Sequence, residues 1–386
     1  MNKTTASLIG YYLAFVSIGL VVASLGPTLP GLMAQTGTTV GQISWLLAAR
    51  PVGYLAGSLV AGRLYDRVPG HPVMALAVLL LSVGLALIPT TPLLTILIVI
   101  MLAIGIGEAG TDVGGNTLIV WLYGEKVGPY MNGLHFAFGL GAFIAPLVVA
   151  WAVAWSGGIA SAYWVLAALA LPAAAWTIFA PSPVRRTTTH ATERRPLDYR
   201  LVILIAVFLL IYVGAEVSFG AWVYTYASAL GLADKSMAAY LTSAFWGALT
   251  AGRLLSIPLA TRFRPRAILA TSLLGCLIGV GLPLFISGSV TAIWAGAILS
   301  GLSMAAIFPT TLTFAERRLA ITGRITSFFF VGASLGGMFW PWLIGQLFER
   351  VGAWATMATI FGDLLIGVAV FGAMMALAPK PVQTPA

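Results

Sequence analysis

The sequence predicts an all-α membrane protein of twelve transmembrane helices, and three observations carry that expectation. Of its 386 residues 60% are apolar and only 8% charged, with a mean hydropathy of +0.99. A soluble fold of that composition would have too little polar surface to show water. Apolar stretches long enough to span a bilayer recur from near residue 7 to near residue 378. Basic residues gather in alternate short loops, as they do where a chain crosses a membrane repeatedly.

Span one, at about 7–33, follows Lys3; it is too long for a removable signal peptide and lacks a clear small-residue cleavage site. Span two, about 40–63, returns the chain to a loop carrying Arg63 and Arg67. Spans three and four, about 72–89 and 92–122, lead to Lys126. Spans five and six, about 129–153 and 159–180, lead to the cluster from Arg185 to Arg200. Spans seven and eight, about 200–228 and 236–261, end at Arg262, Arg264 and Arg266. Spans nine and ten, about 266–286 and 290–314, end at Arg317, Arg318 and Arg324. Spans eleven and twelve, about 324–347 and 353–378, bring the chain to Lys380. Both termini and all these basic residues share one side, which the positive-inside rule makes cytoplasmic; the opposite loops carry little beyond Asp234, Lys235, Glu349 and Arg350. A multi-pass cell-membrane protein, in a bacterium the inner membrane, is expected.

The only long polar stretch, 181–200, reads Pro-Ser-Pro, then Arg-Arg, Thr-rich, then Arg-Arg-Pro, and divides the spans six and six. The expected organisation is an N-terminal bundle over 1–180, a cytoplasmic linker over 181–200 and a C-terminal bundle over 201–386. A shift of 195 residues superposes Gly19 on Gly214, Gly57 on Gly252, Gly84 on Gly279, Gly128 on Gly323, Gly141 on Gly336 and Gly157 on Gly352. It also places Arg67 on Arg262 and Pro146 on Pro341. Two six-helix bundles related by a pseudo-twofold axis along the membrane normal, a common transporter plan, are therefore expected.

The net charge of +9 would suggest a nucleic-acid partner in a soluble protein; here membrane topology accounts for it, and the expected large-scale partner is the lipid bilayer. Cys276 is the single cysteine and reads as packing. His71, His135 and His190 are scattered, so no metal-ligand spacing appears. Gly105, Gly107 and Gly110 spell a dinucleotide fingerprint, and Gly332, Ser334 and Gly336 imitate a nucleophile elbow. Both sets lie inside membrane spans, without the strand and turn that give those motifs their chemistry, and read as close-packing glycines. No enzyme activity and no cofactor are expected.

Glu108, Asp112 and Asn116 stand four residues apart on one face of span four. An acid at the centre of a membrane helix costs roughly 3 kcal/mol on the insertion scale, so such residues usually face a cavity, a partner or an ion. Span five carries Asn132, His135 and Phe138 at a similar depth. Arg50, Glu216 and Asp363 are expected to complete the intramembrane charges; Arg50 either pairs with Asp112 or Glu108 or snorkels outward.

The loop Gly62-Arg-Leu-Tyr-Asp66-Arg67-Val-Pro-Gly70 resembles the signature between spans two and three of the major facilitator superfamily. It departs from that signature at His71-Pro72, where a basic pair is usual, and the second copy near Arg262 lacks the acid. Asp112-Val-Gly-Gly-Asn116, Met131-Asn-Gly-Leu-His135-Phe-Ala-Phe138 and Tyr212-Val-Gly-Ala-Glu216 through Trp222-Val-Tyr-Thr-Tyr226 are similar to the fucose:proton symporter group, most of all to its sodium-dependent glucose transporter branch. Span one lacks the acid typical of the fucose-transporting members.

The resemblance implies cation-coupled import of a glucose-like hexose by alternating access, with H+ or Na+ as the coupling cation. It implies ion coupling through Asp112, with Glu108, Glu216 and Arg50, and a gating loop at Gly62, Asp66 and Arg67. An uncharged sugar needs neutral hydrogen-bonding groups and a flat aromatic face. Asn116, Asn132 and His135 can supply the first, and Trp222, Tyr226 or Phe138 the second. Asp112 is the one place where Na+ could sit; no other metal site is expected, and the chain is expected to act as a monomer. Drug:proton antiport is the main competitor, but Ala145-Pro146 is followed by Leu147-Val-Val-Ala150 rather than the glycine-rich turn of such exporters. A non-transporting membrane sugar sensor is the remaining one.

Overall fold

The computed structural model describes residues 3–179, 182–184, 199–319 and 323–377. Twelve long helices run through these residues: α1 (Lys3–Thr36), α2 (Val40–Tyr65), α3 (Gly70–Leu87), α4 (Leu94–Tyr123), α5 (Gly128–Ser156), α6 (Ala160–Phe179), α7 (Tyr199–Ala229), α8 (Lys235–Arg262), α9 (Pro265–Phe285), α10 (Val290–Glu316), α11 (Gly323–Val351) and α12 (Trp354–Leu377). No strand occurs among the described residues. Most of the expected linker, and with it Arg185 to Arg195, lies outside them, as does Lys380.

Eleven of the helices are long and apolar enough to cross a membrane by composition alone. The exception is α8, whose Ser243, Thr250, Arg253 and Ser256 lower its hydropathy. Three of those four line the internal cavity, so the polar positions of α8 are turned from lipid toward water. Twelve crossings alternate in direction and leave the first and last helix ends on one face. Arg63, Arg67, Lys126, Arg262, Arg264, Arg266, Arg317 and Arg318 stand at the loops of that same face, here called the basic face.

Local chemistry explains the breaks. Asp234 caps α8 by accepting from the Met237 N–H at 2.8 Å, and Ser289 caps α10 by accepting from Ala292 at 3.2 Å. Within α10 the helix breaks between Met304 and Ile307, because Pro309 has no N–H to give the Ala305 carbonyl.

The packing pattern repeats. Helix α1 packs on α5, α2 on α4 and α3 on α6; α7 packs on α11, α8 on α10 and α9 on α12 in the same order. The 195-residue register has a physical basis at particular glycines. Gly157 and Gly352 close α5 and α11 with φ of +76° and +88°, a conformation that strains any residue with a Cβ. Gly141 lies against the backbone carbonyl of Val16, and its counterpart Gly336 lies against that of Leu210. A methyl at either would separate the helix pair. Between the two groups of six, α5 packs on α8, α2 on α11 and α1 on α7.

Candidate substrate cavity and ion-coupling site

A cavity of about 590 Å³ lies between the two groups of helices, within the range usual for small-molecule sites. Its wall reaches Phe263, Pro265 and Arg317 at the basic-face ends of the helices, so it opens toward that face. The opposite end is closed by α11 against the turn that begins α2. The Glu349 carboxylate accepts from the Gly41 N–H at 2.7 Å and the Thr39 hydroxyl at 2.8 Å. Gln346 Nε2 donates to the Gly41 carbonyl at 2.7 Å and to Ser44 Oγ at 3.1 Å. Beneath them the rings of Trp45 and Trp342 meet with centroids 5.4 Å apart.

One side of the wall is the seam between α2 and α4. These helices run parallel and approach backbone to backbone, because Gly53 lies on the Leu102 carbonyl and Gly105 on that of Arg50. Gly107 and Gly110 pack likewise on Ala77 of α3, so all three glycines that spell a dinucleotide fingerprint serve helix packing. The close seam brings two side chains of α2, one turn apart, onto two of α4, one turn apart. Arg50 Nη1 donates to both oxygens of Glu108, at 2.8 and 2.6 Å. One turn on, the Tyr54 hydroxyl donates to Asp112 Oδ2 at 2.5 Å. Of the partners open to Arg50 from sequence, the structure selects Glu108.

Across the cavity, Glu216 of α7 accepts from the Tyr212 hydroxyl and lies 3.6 Å from Arg253 of α8. Arg253 was not among the intramembrane charges expected from sequence, although it stands in plain view inside span eight. Its guanidinium also lies 5.6 Å from the centroid of the Phe138 ring. Glu108 and Glu216 each face an arginine, whereas the oxygens of Asp112 are held by neutral donors, Tyr54 and Asn116. Asp363, the remaining expected charge, is 1% exposed on α12 and is not part of the cavity wall; neither of its oxygens has a hydrogen-bond partner among the described residues.

Asn132, His135 and Phe138 line the cavity together with Arg50, Glu108, Asp112 and Glu216. The His135 ring stands edge-on to Phe15 at 6.0 Å, and Phe138 stands edge-on to Trp246 at 6.4 Å. Three residues expected to touch sugar lie elsewhere. Asn116 is turned back along α4, where its Nδ2 donates to the Asp112 carbonyl and to Asp112 Oδ1, each at 2.9 Å. Trp222 is fully buried, its Nε1 donating to the Pro341 carbonyl at 2.9 Å and its ring stacked on Phe348. Tyr226 is equally buried, with its hydroxyl on the Pro283 carbonyl at 2.8 Å. Both aromatics are anchored to carbonyls of proline residues within neighbouring helices and cannot also present a face to the cavity. The aromatic wall includes instead Phe138, Trp246, Phe15, Phe136, Phe308 and Phe330. Gly62, Asp66 and Arg67 form the basic-face turn that ends α2, where the Asp66 N–H meets the Gly62 carbonyl at 3.2 Å. Among the described residues no group of three or more His, Cys, Asp and Glu is placed to hold a metal ion.

A bundle of membrane-crossing helices around a central cavity with acids and arginines in its wall defines a membrane transporter. The profile of the Major Facilitator Superfamily matches residues 11–341, and the chain belongs to that superfamily. It is 31% identical over 376 residues to sodium-dependent glucose transporter 1 of Rattus norvegicus, covering 86% of this chain and 77% of that one. It is 29% identical over 411 residues to sodium-dependent glucose transporter 1A of Mus musculus, covering 96% and 97%. Among solved structures, a D-xylose-proton symporter shares the fold with a TM-score of 0.78 over 98% of this chain and 99% of that one, at 15% identity.

Proposed function

We propose that this chain is a secondary active transporter that imports a glucose-like hexose together with H+ or Na+. The observation that carries it is the charge arrangement of the cavity. Two of its carboxylates face arginines and the third, Asp112, has only neutral donors, so Asp112 is the group with negative charge left for a cation. Asn132 and His135 offer neutral hydrogen-bonding groups to sugar hydroxyls, and Phe138 and Trp246 offer apolar faces to a ring. The names of the rat and mouse relatives support the same substrate and coupling.

The transporter works by alternating access between two six-helix bundles, 1–180 and 201–386, that rock about the central cavity. The basic face is cytoplasmic by the positive-inside rule, which makes the described state inward-facing in a cell membrane. A cation at Asp112 neutralises the cavity wall and lowers the cost of closing it around sugar, so each ligand strengthens the binding of the other to the same degree. A monomer contains the complete site. Uptake of a labelled hexose panel into proteoliposomes, under a Na+ gradient and separately under a pH gradient, tests this directly. Gradient-driven accumulation of a glucose-like sugar is expected; lipophilic cations competing for the cavity, with no sugar counterflow, would establish a drug:proton antiporter instead. Sugar binding without counterflow would establish a sensor.

A further inference from the structure

Each oxygen of Asp112 is held by a different side chain: Tyr54 donates to Oδ2 at 2.5 Å and Asn116 donates to Oδ1 at 2.9 Å. Asn116 is not part of the cavity wall, and its amide also donates to the backbone carbonyl of Asp112, so its direction is fixed along the helix. Tyr54 lines the cavity, one turn after Arg50, on the parallel neighbouring helix. Glu108, one turn before Asp112, is occupied by Arg50 through both oxygens. The ladder between α2 and α4 therefore has one charge-neutral rung, Arg50 with Glu108, and one rung that keeps a charge, Tyr54 with Asp112. Glu216, by contrast, faces Arg253 as well as Tyr212.

We propose that Tyr54 and Asn116 are positioning residues of the coupling site, which hold the Asp112 carboxylate ready for the cation and set its cation affinity rather than the affinity for sugar. The proposal rests on Asp112 being the coupling residue. A carboxylate is acceptor-only, and each donated hydrogen occupies a lone pair and shares negative charge that a cation must otherwise use. Binding of H+ or Na+ at Asp112 weakens or displaces one of the two donors. Tyr54 is the one that gives way, because it makes one bond from a cavity-lining residue of the neighbouring helix, while Asn116 is tethered twice on its own helix. Removing a donor leaves more charge for the cation, so the coupling cation binds more tightly and is released more slowly to the basic face.

The test is initial-rate sugar uptake in proteoliposomes, titrated with Na+ at fixed pH and with protons in the absence of Na+. Tyr54→Phe and Asn116→Ala are each expected to lower the half-saturating concentration of the driving cation, by roughly tenfold where a full charge-assisted hydrogen bond is lost. The half-saturating sugar concentration, measured at saturating cation, should move less than about twofold; loss of one ordinary packing contact would not split the two constants in this way. A cation-dependent wild type in which neither variant shifts the cation constant overturns the proposal alone. Variants that weaken sugar affinity and leave the cation constant in place overturn it too, and assign both residues to the sugar site instead. A wild type whose uptake ignores both cations overturns the coupling role of Asp112 and this proposal with it. If Tyr54→Phe fails to fold, Asn116→Ala carries the same two expectations.

Discussion

Replacing Asp112 by asparagine should uncouple the transporter without emptying its sugar site. Of the acids in the cavity wall, Glu108 and Glu216 face arginines, so on the coupling role proposed for Asp112 one cation moves per cycle. A neutral sugar moving with one positive charge is driven by the membrane potential at about 2.3 kcal/mol per 100 mV. With a tenfold ratio per 1.4 kcal/mol, an imposed 100 mV, inside negative, should concentrate sugar about fortyfold in wild-type vesicles. The Asp112→Asn amide is nearly the same size, and its carbonyl can still accept from Tyr54 or Asn116, though no longer from both with the amide nitrogen unopposed. Accumulation should fall to about onefold, while exchange of labelled for unlabelled sugar at zero potential persists, because exchange needs no net movement of charge. The assay is valinomycin-clamped uptake beside counterflow in the same vesicles. Accumulation by Asp112→Asn near the wild-type level would remove Asp112 as the coupling group; loss of counterflow together with accumulation would make it part of the sugar site.

Arg50→Leu leaves Glu108 buried without its partner and should lower stability by about 3 kcal/mol, read as a fall in thermal midpoint in detergent, with much of the loss recovered in Arg50→Leu/Glu108→Gln. Phe138→Ala and Trp246→Ala should each raise the half-saturating sugar concentration roughly tenfold or more, whereas Trp222→Phe, which loses the hydrogen bond to the Pro341 carbonyl and part of a buried ring, should lower thermal stability and leave sugar affinity in place. Glu349→Ala removes two of the three hydrogen bonds that hold α11 to the Thr39–Gly41 turn and should raise thiol labelling of a cysteine introduced at Ser44, in a Cys276→Ser background, from the face opposite the basic one; unchanged labelling would show that Gln346 and the Trp45–Trp342 contact close that face without it.

The architecture was legible because lipid leaves few alternatives: a long apolar run must become a helix whose backbone bonds are internal, and its ends are marked by charge. The repeat was legible for a different reason. Gly141 and Gly336 sit where a helix crosses another at backbone distance, and Gly157 and Gly352 sit where φ must be positive, so both pairs keep their spacing in sequence. Side-chain direction was less legible. Glu108 and Asp112 were found because an acid in a membrane helix is conspicuous, but the partner of each depends on the register between α2 and α4, which glycines 53 and 105 determine and no single-helix pattern reveals. Trp222 and Tyr226 had the right chemistry for a sugar face and the wrong azimuth, since period 3.6 along α7 cannot say which side meets α9 and α11. Arg253 carried a clear signal, a lone arginine amid the apolar residues of α8, and the same reasoning that singled out Arg50 would have found it.

The closed end of the cavity and the ladder in its wall are built from different interactions, and the difference bears on the proposed movement. At the closed end the groups that cross from α11 to the start of α2 are hydrogen bonds to a short turn, made by Glu349 and by the part-buried Gln346, together with one aromatic contact. Each such bond contributes modestly once water replaces it, but only the Thr39–Glu349 bond is exposed, and opening this end also has to part Gly345 from Ser44. The charged ladder differs: both of its rungs join α2 to α4, on the same side of the cavity, so the rocking proposed above would leave them whole. On the coupling role proposed for Asp112, a cation there acts on the cavity wall without having to break Arg50 from Glu108. Its free energy would then go into the balance between the two open states, set against the cost of releasing the Glu349 turn.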